Sequence, residues 1–404
     1  MRFPSGLRAL NHPGFRRYYA GQLVVLVGTW MQNVAQAWLV LSLTDSPLRL
    51  GLIATLQFGP LLLFSLFTGA LADRVPKRSL LIATQATQGT IALLIALLVW
   101  SGRVEYWHIG VLAVVWGLAS SVDQPARQAL LSELVGRADV VSAVALGSAA
   151  FNGARIIGPA IAGVLIAQVG IAPAFALNAL AFCVSITALR GAVPRGGAAP
   201  MGGTTMLEAI GEGLGYARRT PRVRLTLGFA LVASFCIFNF SVYVPLLSKT
   251  VLGLGAEGFG YLMACLGVGA VAGALTLGAL GGRPPSPGTI AGSLVVACGG
   301  LVGLGFVDHF WTAAPLLALT GFTGIIVVAA CNTSLQLLAP DALRGRVMSL
   351  YTLVSGGVFP LGAFWVGALS QVWSVSTAFR VNGVLGVGAT AALALWWRLR
   401  KRAA

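Results

Sequence analysis

Apolar runs of about 20 residues recur along the whole chain, separated by short polar segments. A helix of that length crosses a hydrocarbon core about 30 Å thick and satisfies all of its backbone hydrogen bonds internally. Twelve such runs occur, at residues 20–43, 48–72, 79–100, 108–131, 140–167, 171–191, 225–248, 258–280, 289–307, 311–337, 347–370 and 379–397. The pattern predicts an all-α membrane protein with twelve transmembrane helices, which we number as spans one to twelve.

The composition excludes most other classes of protein. The chain is 57% hydrophobic and only 9% charged, whereas soluble domains carry about 25% charged residues. Its five cysteines lie singly within apolar runs, so they are expected to be small buried hydrophobes rather than disulfides or metal ligands. No His-Glu-x-x-His motif and no phosphate-binding Gly-x-x-x-x-Gly-Lys-Ser/Thr loop occurs. We therefore expect no metal, no cofactor and no enzymatic activity.

The net charge of +16 would fit a nucleic-acid-binding protein, but the positions of the charges argue against it. If the chain starts inside, only Arg49, Arg103, Lys249 and Arg380 fall on the outer side, and Arg155 falls within a span. The other 22 of the 27 Lys and Arg residues then face the cytoplasm. This is the positive-inside bias that orients helices during insertion, and it predicts that both termini are cytoplasmic.

A repeat divides the chain into halves. At a constant shift of 209 positions, seven residues of the first half recur in the second: Gly51, Leu66, Gly69, Ala70, Leu71, Arg74 and Pro76 correspond to Gly260, Leu275, Gly278, Ala279, Leu280, Arg283 and Pro285. The repeat predicts two pseudo-symmetric six-helix bundles, residues 1–191 and 225–404. A cytoplasmic linker, residues 192–224, joins them, and a short surface helix is expected over residues 205–219.

The loop between spans two and three resembles a motif of the major facilitator superfamily, Gly-x-Leu-Ala-Asp-Arg-x-Gly-Arg-Arg. The matching residues are Gly69, Leu71, Ala72, Asp73, Arg74, Lys77 and Arg78, with Pro76 at the position of the usual glycine. The stretches 123–129 and 151–159 are similar to the branch that contains the enterobactin exporter and macrolide efflux proteins. The resemblance implies a monomeric secondary transporter in a bacterial inner membrane that moves a small molecule by alternating access.

The same loop is a candidate for a conformational latch. Asp73 ends a helix, where the macrodipole disfavours an acid, so it needs a cation or the N-terminus of another helix. The resemblance implies that its partners are the start of span eleven and a basic residue of span four, for which Arg127 is the candidate. The predicted latch residues are Gly69, Asp73, Arg74, Lys77, Arg78 and Arg127. The alternative is a basic loop that serves only to orient the helices.

Charged residues inside the spans are the candidates for proton coupling. Asp123 and Arg127 are four residues apart on one face of span four, and Arg155 lies near the middle of span five. A lone charge at that depth costs at least about 2.5–3.5 kcal/mol, so it normally faces a partner or a cavity. Our hypothesis is that Asp123 takes up and releases a proton under the influence of Arg155 or Arg127. The alternative is a static ion pair that locks spans four and five.

Polar and aromatic residues within the spans are the candidates for a substrate cavity. The resemblance implies that spans one, four, seven and ten line it, and these spans carry Gln32, Asn33, Gln36, Trp116, Asn239, Tyr243, Asn332 and Gln336. Such neutral amides and aromatic rings suit a bulky amphipathic ligand; the alternative for each is helix-to-helix hydrogen bonding. Gly158-Pro159 predicts a bend in span five.

The predicted function is proton-driven efflux of drugs or siderophore-like molecules. The alternatives are import on the same scaffold and lipid translocation. Neither the orientation of the helices nor any motif separates these.

Overall fold

The computed structural model describes residues 5–136, 138–191, 206–279 and 285–403, with the side chains of residues 5, 6, 62, 65–74, 132, 206–210, 213, 341, 342 and 403 left out. The described residues contain helices and no β-strand. The prediction of an all-α membrane protein is therefore confirmed, because eleven of the helices are long and apolar enough to cross a bilayer. A further helix, Pro47–Arg74, corresponds to span two.

The helices of the first half follow the predicted spans closely. After a short 3-10 helix, Ser5–Asn11, they are α1 (Pro13–Thr44), α2 (Pro47–Arg74), α3 (Lys77–Trp100), α4 (Tyr106–Val135), α5 (Val140–Val169) and α6 (Ala172–Arg190). Most of them extend beyond the apolar runs, since helical hydrogen bonding continues into the polar segments that flank the hydrocarbon region.

The helices of the second half are less regular. They are α7 (Met206–Arg219), α8 (Pro221–Val232), α9 (Phe240–Leu246), α10 (Ala256–Ala279), α11 (Pro287–Leu304), α12 (Phe310–Leu338), α13 (Asp341–Gly357), α14 (Phe359–Val372) and α15 (Val375–Ala403). Span seven starts at Pro221 and combines α8 and α9 with two π-helical segments, Ala233–Ile237 and Leu247–Val251. Span eleven combines α13 and α14, which separate at Val358 just before Pro360.

Two compact units divide the chain. The first unit contains Met1–Thr44 and Gly59–Gly202, and the second contains Asp45–Phe58 and Gly203–Ala404. In the first unit α3 packs against α4 and α6, and α1 packs against α6. In the second unit α11 packs against α12 and α15, and α8 packs against α15. The same pairs of spans are therefore neighbours in each unit.

The first part of α2 belongs to the second unit, where it packs against α14. An added Cβ on Gly51 would lie 2.6 Å from the carbonyl oxygen of Ala363, so only a glycine allows this approach. The Thr55 hydroxyl donates a hydrogen bond of 3.0 Å to the carbonyl of Pro360. Small residues at helix contacts of this kind are the usual way in which helices associate inside a bilayer.

The surface helix predicted over residues 205–219 is present as α7, Met206–Arg219. It is attached to the second unit, because Glu212 forms an ion pair with Arg346 of α13. The Tyr216 hydroxyl also donates a hydrogen bond of 2.9 Å to the carbonyl of Leu338. The part of the linker at residues 192–205 lies outside the described residues.

Candidate functional site

Span four carries a buried ion pair in the first unit. Arg127 Nε donates to Asp123 Oδ2 at 3.0 Å, and a second guanidinium nitrogen of Arg127 contacts the same oxygen. The two residues are four apart on α4, which places both side chains on one face of the helix. Asp123 is only 4% exposed. The pair is thus a charge-assisted contact held away from solvent.

Two residues on other helices complete the surroundings of this pair. The Thr84 hydroxyl of α3 donates a hydrogen bond of 3.0 Å to Asp123 Oδ1. Arg127 also hydrogen-bonds with the buried Tyr18 hydroxyl of α1. Asp123 thereby receives donors on both carboxylate oxygens, and the set connects α1, α3 and α4. We refer to Tyr18, Thr84, Asp123 and Arg127 as the carboxylate cluster.

The carboxylate cluster lies above an apolar layer of the first unit. Tyr18 itself belongs to a set of buried residues that includes Leu81, Ala126, Leu130 and Leu134. Water that reaches Asp123 from this direction would have to pass these side chains. A buried carboxylate with one cationic partner and two neutral hydroxyl neighbours can accept a proton without losing every hydrogen bond, because both hydroxyls can also accept.

Arg155 is separate from the carboxylate cluster in the contacts that the structure shows. Its guanidinium carbon lies 5.8 Å from the centre of the Trp30 ring of α1, a distance at which a cation and an aromatic ring attract each other. Trp30 also makes an edge-on contact with Phe151 of α5. The cation of span five is therefore held against an aromatic surface of α1.

Gly158 and Pro159 lie within an uninterrupted α5. An added Cβ on Gly158 would lie 2.7 Å from Trp30 Cβ and 2.8 Å from the Val27 carbonyl oxygen. The missing side chain therefore lets α1 and α5 touch. The predicted bend stays a prediction, whereas the close contact between the two helices is an additional role for this position.

The loop residues after span two have partners inside the first unit. Lys77 lies 3.6 Å from Glu133 of α4, and Arg78 donates to the carbonyl of Arg190 at the end of α6. The side chains of Gly69, Asp73 and Arg74 lie outside the described residues, and Arg127 is engaged with Asp123. The latch remains a prediction.

Three of the predicted cavity residues of the first unit are engaged in contacts between helices or buried. Gln32 accepts a hydrogen bond of 2.6 Å from Asn178 of α6. Trp116 is 7% exposed and makes an edge-on contact with Phe182 of α6. Gln36 is buried, and Asn33 is partly exposed. Asn33 is thus the most accessible of the polar candidates on α1.

In the second unit, Asn239 and Tyr243 are fully buried. Asn239 follows the first π-helical segment and donates to the carbonyl of Phe235 at 2.6 Å. Tyr243 stacks on Phe379 of α15 at 4.6 Å between ring centres, and its hydroxyl contacts the amide of Asn382. Both residues stabilise the interior of the unit, which is the alternative that the sequence left open.

Asn332 and Gln336 of α12 differ from these, since they remain accessible. Gln336 Nε2 donates to Asn332 Oδ1 at 2.6 Å, and Gln336 is exposed. Their remaining amide groups are available to a ligand. Among the predicted cavity residues, Asn33, Asn332 and Gln336 are the ones that fit ligand contact best.

Four polar residues of the unit interiors were missed from the sequence: Tyr18, Thr84, Asn178 and Asn382. Asn382 Nδ2 donates 2.8 Å to the carbonyl of Cys236, which the π-helical break leaves without a regular helical partner. The signal that identifies Asn178 and Asn382 is a single amide within an otherwise apolar span, because such a group must find a partner in the bilayer. Tyr18 and Thr84 give no comparable signal.

The side chains of the described residues offer no group of three or more His, Cys, Asp or Glu that could hold a metal ion. What the units present instead is one buried carboxylate cluster, one arginine on an aromatic face and a small number of accessible amides, all on helices that cross a membrane. This combination defines a multi-pass membrane transporter of the major facilitator type.

Comparison with known proteins identifies the family. The family model described as transmembrane secretion effector matches residues 4–404, so the chain belongs to this family of major facilitator transporters. The members of this class are transporters and not enzymes.

Characterised relatives match over nearly the full length. The chain is 23% identical over 389 residues to the staphyloferrin A transporter of Staphylococcus aureus, which covers 91% of this chain and 92% of the relative. It is 27% identical over 365 residues to the multidrug efflux pump Tap of Mycolicibacterium fortuitum, with 87% and 88% covered. It is 26% identical over 380 residues to the enterobactin exporter EntS of Salmonella typhimurium, with 92% and 89% covered.

A solved structure with the same fold is that of a bacterial homologue of the human lysosomal transporter Spinster, in an inward-facing and unoccupied conformation. It superposes with a TM-score of 0.73 over 96% of this chain and 97% of that chain, at 13% sequence identity. At that identity the likeness shows the fold alone.

Proposed function

We propose that this protein is a proton-coupled exporter of bulky amphipathic small molecules, of the size and polarity of drugs or siderophores. It works as a monomer, by alternating access, in the inner membrane of a bacterium with both termini in the cytoplasm. The carboxylate cluster carries the proposal: a carboxylate that is buried in a membrane helix beside one arginine is costly to maintain, so it requires a function.

The chemistry of the carboxylate cluster suits a site that is charged in one state and neutral in another. A nearby cation favours the charged carboxylate, while removal from water favours the protonated one. Arg127 supplies the cation through the contact with Asp123. A movement that shifts either residue by one or two ångströms would change the balance, and this is the coupling between helix motion and proton binding that we propose.

The relatives support the direction and the class of substrate. Their names describe a staphyloferrin A transporter, a multidrug efflux pump and an enterobactin exporter. Asn33, Asn332 and Gln336 are accessible neutral amides. Such groups bind polar atoms of a large ligand without demanding a particular charge. We therefore place these three residues in contact with the substrate and assign no role in binding to Tyr243.

The test is transport by the Asp123→Asn variant in everted vesicles with an imposed proton gradient. The amide keeps the shape of the carboxylate but cannot release a proton, so we expect substrate accumulation driven by the gradient to be lost. Exchange of labelled substrate without a gradient should persist. Asp308→Asn is the matched control, because Asp308 is exposed in the segment before α12 and undergoes the same chemical change.

The substrate for this assay comes from a growth screen of a deletion strain and an overexpressing strain across toxins and siderophores. Gradient-driven accumulation at the wild-type rate in Asp123→Asn would show that the carboxylate does not couple transport to protons. Accumulation in intact cells and not in everted vesicles would show import and overturn the proposed direction.

A further inference from the structure

One end of the second unit concentrates positive charge without compensating acids. The start of α8 and the end of α15 carry, with the residues just before α8, Arg218, Arg219, Arg222, Arg224, Arg398, Arg400, Lys401 and Arg402. No Asp or Glu occurs between residues 213 and 256 or after Asp341. Within the described part of the chain, none of these eight residues forms an ion pair with a carboxylate.

Two of these cations meet on one aromatic ring. The guanidinium carbon of Arg224 lies 4.6 Å from the centre of the Trp396 indole, and that of Arg400 lies 5.7 Å from the same centre. The alignment of the two helices is fixed one turn away, where an added Cβ on Gly228 would lie 3.1 Å from both δ carbons of Leu393. Arg224 and Arg400, which repel each other, are therefore brought to a common surface by the packing of α8 on α15.

The Arg224 guanidinium is not satisfied by the chain. Its Nε and Nη2 atoms are both buried, and in the described residues neither has a hydrogen-bond acceptor. The positive-inside bias explains why arginines are frequent at this end of the helices. It does not explain a guanidinium that is stacked on an indole with two buried donors and no acceptor, because an exposed arginine would serve topology equally well.

The neighbouring residues indicate where the acceptor comes from. Leu395 and Leu399 of α15 flank Trp396 and are 58% and 57% exposed, so an apolar surface adjoins the cationic one. An indole with a polar edge and an apolar body is typical of the boundary between headgroups and acyl chains. A planar guanidinium fits a phosphate oxygen pair in two parallel hydrogen bonds.

We propose that Arg224, Arg400 and Trp396 form a binding site for the phosphodiester group of an anionic phospholipid. The phosphate accepts from Arg224 and neutralises the repulsion between the two guanidinium groups. The acyl chains lie along Leu395 and Leu399. The site is independent of the carboxylate cluster and of the direction of transport, and it ties the lipid to the contact between spans seven and twelve.

The experiment is native mass spectrometry of the purified full-length protein in detergent, titrated with phosphatidylglycerol and, in parallel, with phosphatidylcholine. Each basic residue at an anionic lipid surface contributes a factor of about five in affinity, so the double variant Arg224→Gln/Arg400→Gln should bind phosphatidylglycerol about 30-fold more weakly. Phosphatidylcholine binding should be the same in both proteins. Arg224→Lys keeps the charge but loses the planar fork, and we expect an intermediate affinity.

The matched control is Arg8→Gln/Arg16→Gln, which removes two exposed cations from the N-terminal region of the first unit. It should bind phosphatidylglycerol like the wild type. Equal losses in the two double variants would show that total charge and not this site governs binding, and unchanged binding in Arg224→Gln/Arg400→Gln would overturn the proposal directly.

Two further measurements keep the result unambiguous. The single variant Arg400→Gln changes an exposed residue, so it retains the fold, and it should still lose about fivefold in affinity. Competition with inorganic phosphate and with glycerophosphoglycerol separates the sources of the phosphate group. Displacement of the lipid by either soluble anion at equal concentration would show that the site takes a free phosphate, and would overturn the assignment to a lipid.

Discussion

The carboxylate cluster makes a quantitative prediction about the cost of leaving Asp123 without its cation. In Arg127→Gln the carboxylate would keep the hydrogen bond from Thr84 but lose the charge-assisted bonds from the guanidinium. Breaking a buried ion pair by removing one partner costs about 3–5 kcal/mol. Because Asp123 retains one donor and Arg127 is partly exposed, we expect the lower part of that range, about 2–3 kcal/mol in the free energy of unfolding.

A double-mutant cycle measures this cost and separates it from the loss of packing. Asp123→Asn in the background of Arg127→Gln removes the charge that has no partner, so the double variant should recover at least about 1.5 kcal/mol relative to Arg127→Gln. The free energy of unfolding is measured by denaturation with SDS in mixed micelles at neutral pH. Arg103→Gln, an exposed arginine in the segment before α4, is the control and should be neutral.

A coupling free energy below about 0.5 kcal/mol would refute the reasoning, because the two residues would then be independent. A large coupling together with normal proton-driven transport in Asp123→Asn would favour the static ion pair. In that case the lock would join α4 to α1 and α3, through Tyr18 and Thr84, rather than joining spans four and five.

Three further predictions concern packing and the loop. Gly158→Ala should lower the free energy of unfolding by about 1–3 kcal/mol because its Cβ would overlap α1, whereas Gly153→Ala, with no atom within 4 Å of the added Cβ, should be neutral; thermal unfolding in detergent compares them. Asn382→Leu should cost about 0.6–2 kcal/mol by the same measurement, since the carbonyl of Cys236 loses its donor. Lys77→Gln should cost less than about 1 kcal/mol in SDS denaturation, as its pair with a glutamate is long and partly exposed, and a larger cost would contradict this estimate.

The number and nature of the spans could be predicted from the sequence because the bilayer imposes a length on every apolar run. Irregularities within a span were harder to predict. The break in span eleven follows Gly356-Gly357 and precedes Pro360, residues that weaken a helix, but the same residues also occur in α5 without interrupting it. Whether such a sequence breaks a helix depends on the neighbours that replace the lost hydrogen bonds.

The site shows the same division between local and tertiary information. The contact of Asp123 with Arg127 follows from their spacing of four residues, and the structure contains it. The contributions of Thr84 and Tyr18 depend on which helices are neighbours, and periodicity carries no such information. For the same reason Tyr243 could be assigned to a cavity from its position in span seven, although the structure turns it toward α15.

The two π-helical segments of span seven have a mechanical consequence. A regular helix transmits a twist or a tilt along its whole length, since each turn is clamped to the next by three or four parallel bonds. Where the pitch changes, at Ala233–Ile237 and again at Leu247–Val251, that clamp is weaker and the two sides can rotate by different amounts. Span seven is therefore a jointed rod, whose middle piece can swivel while its ends stay anchored to their neighbours.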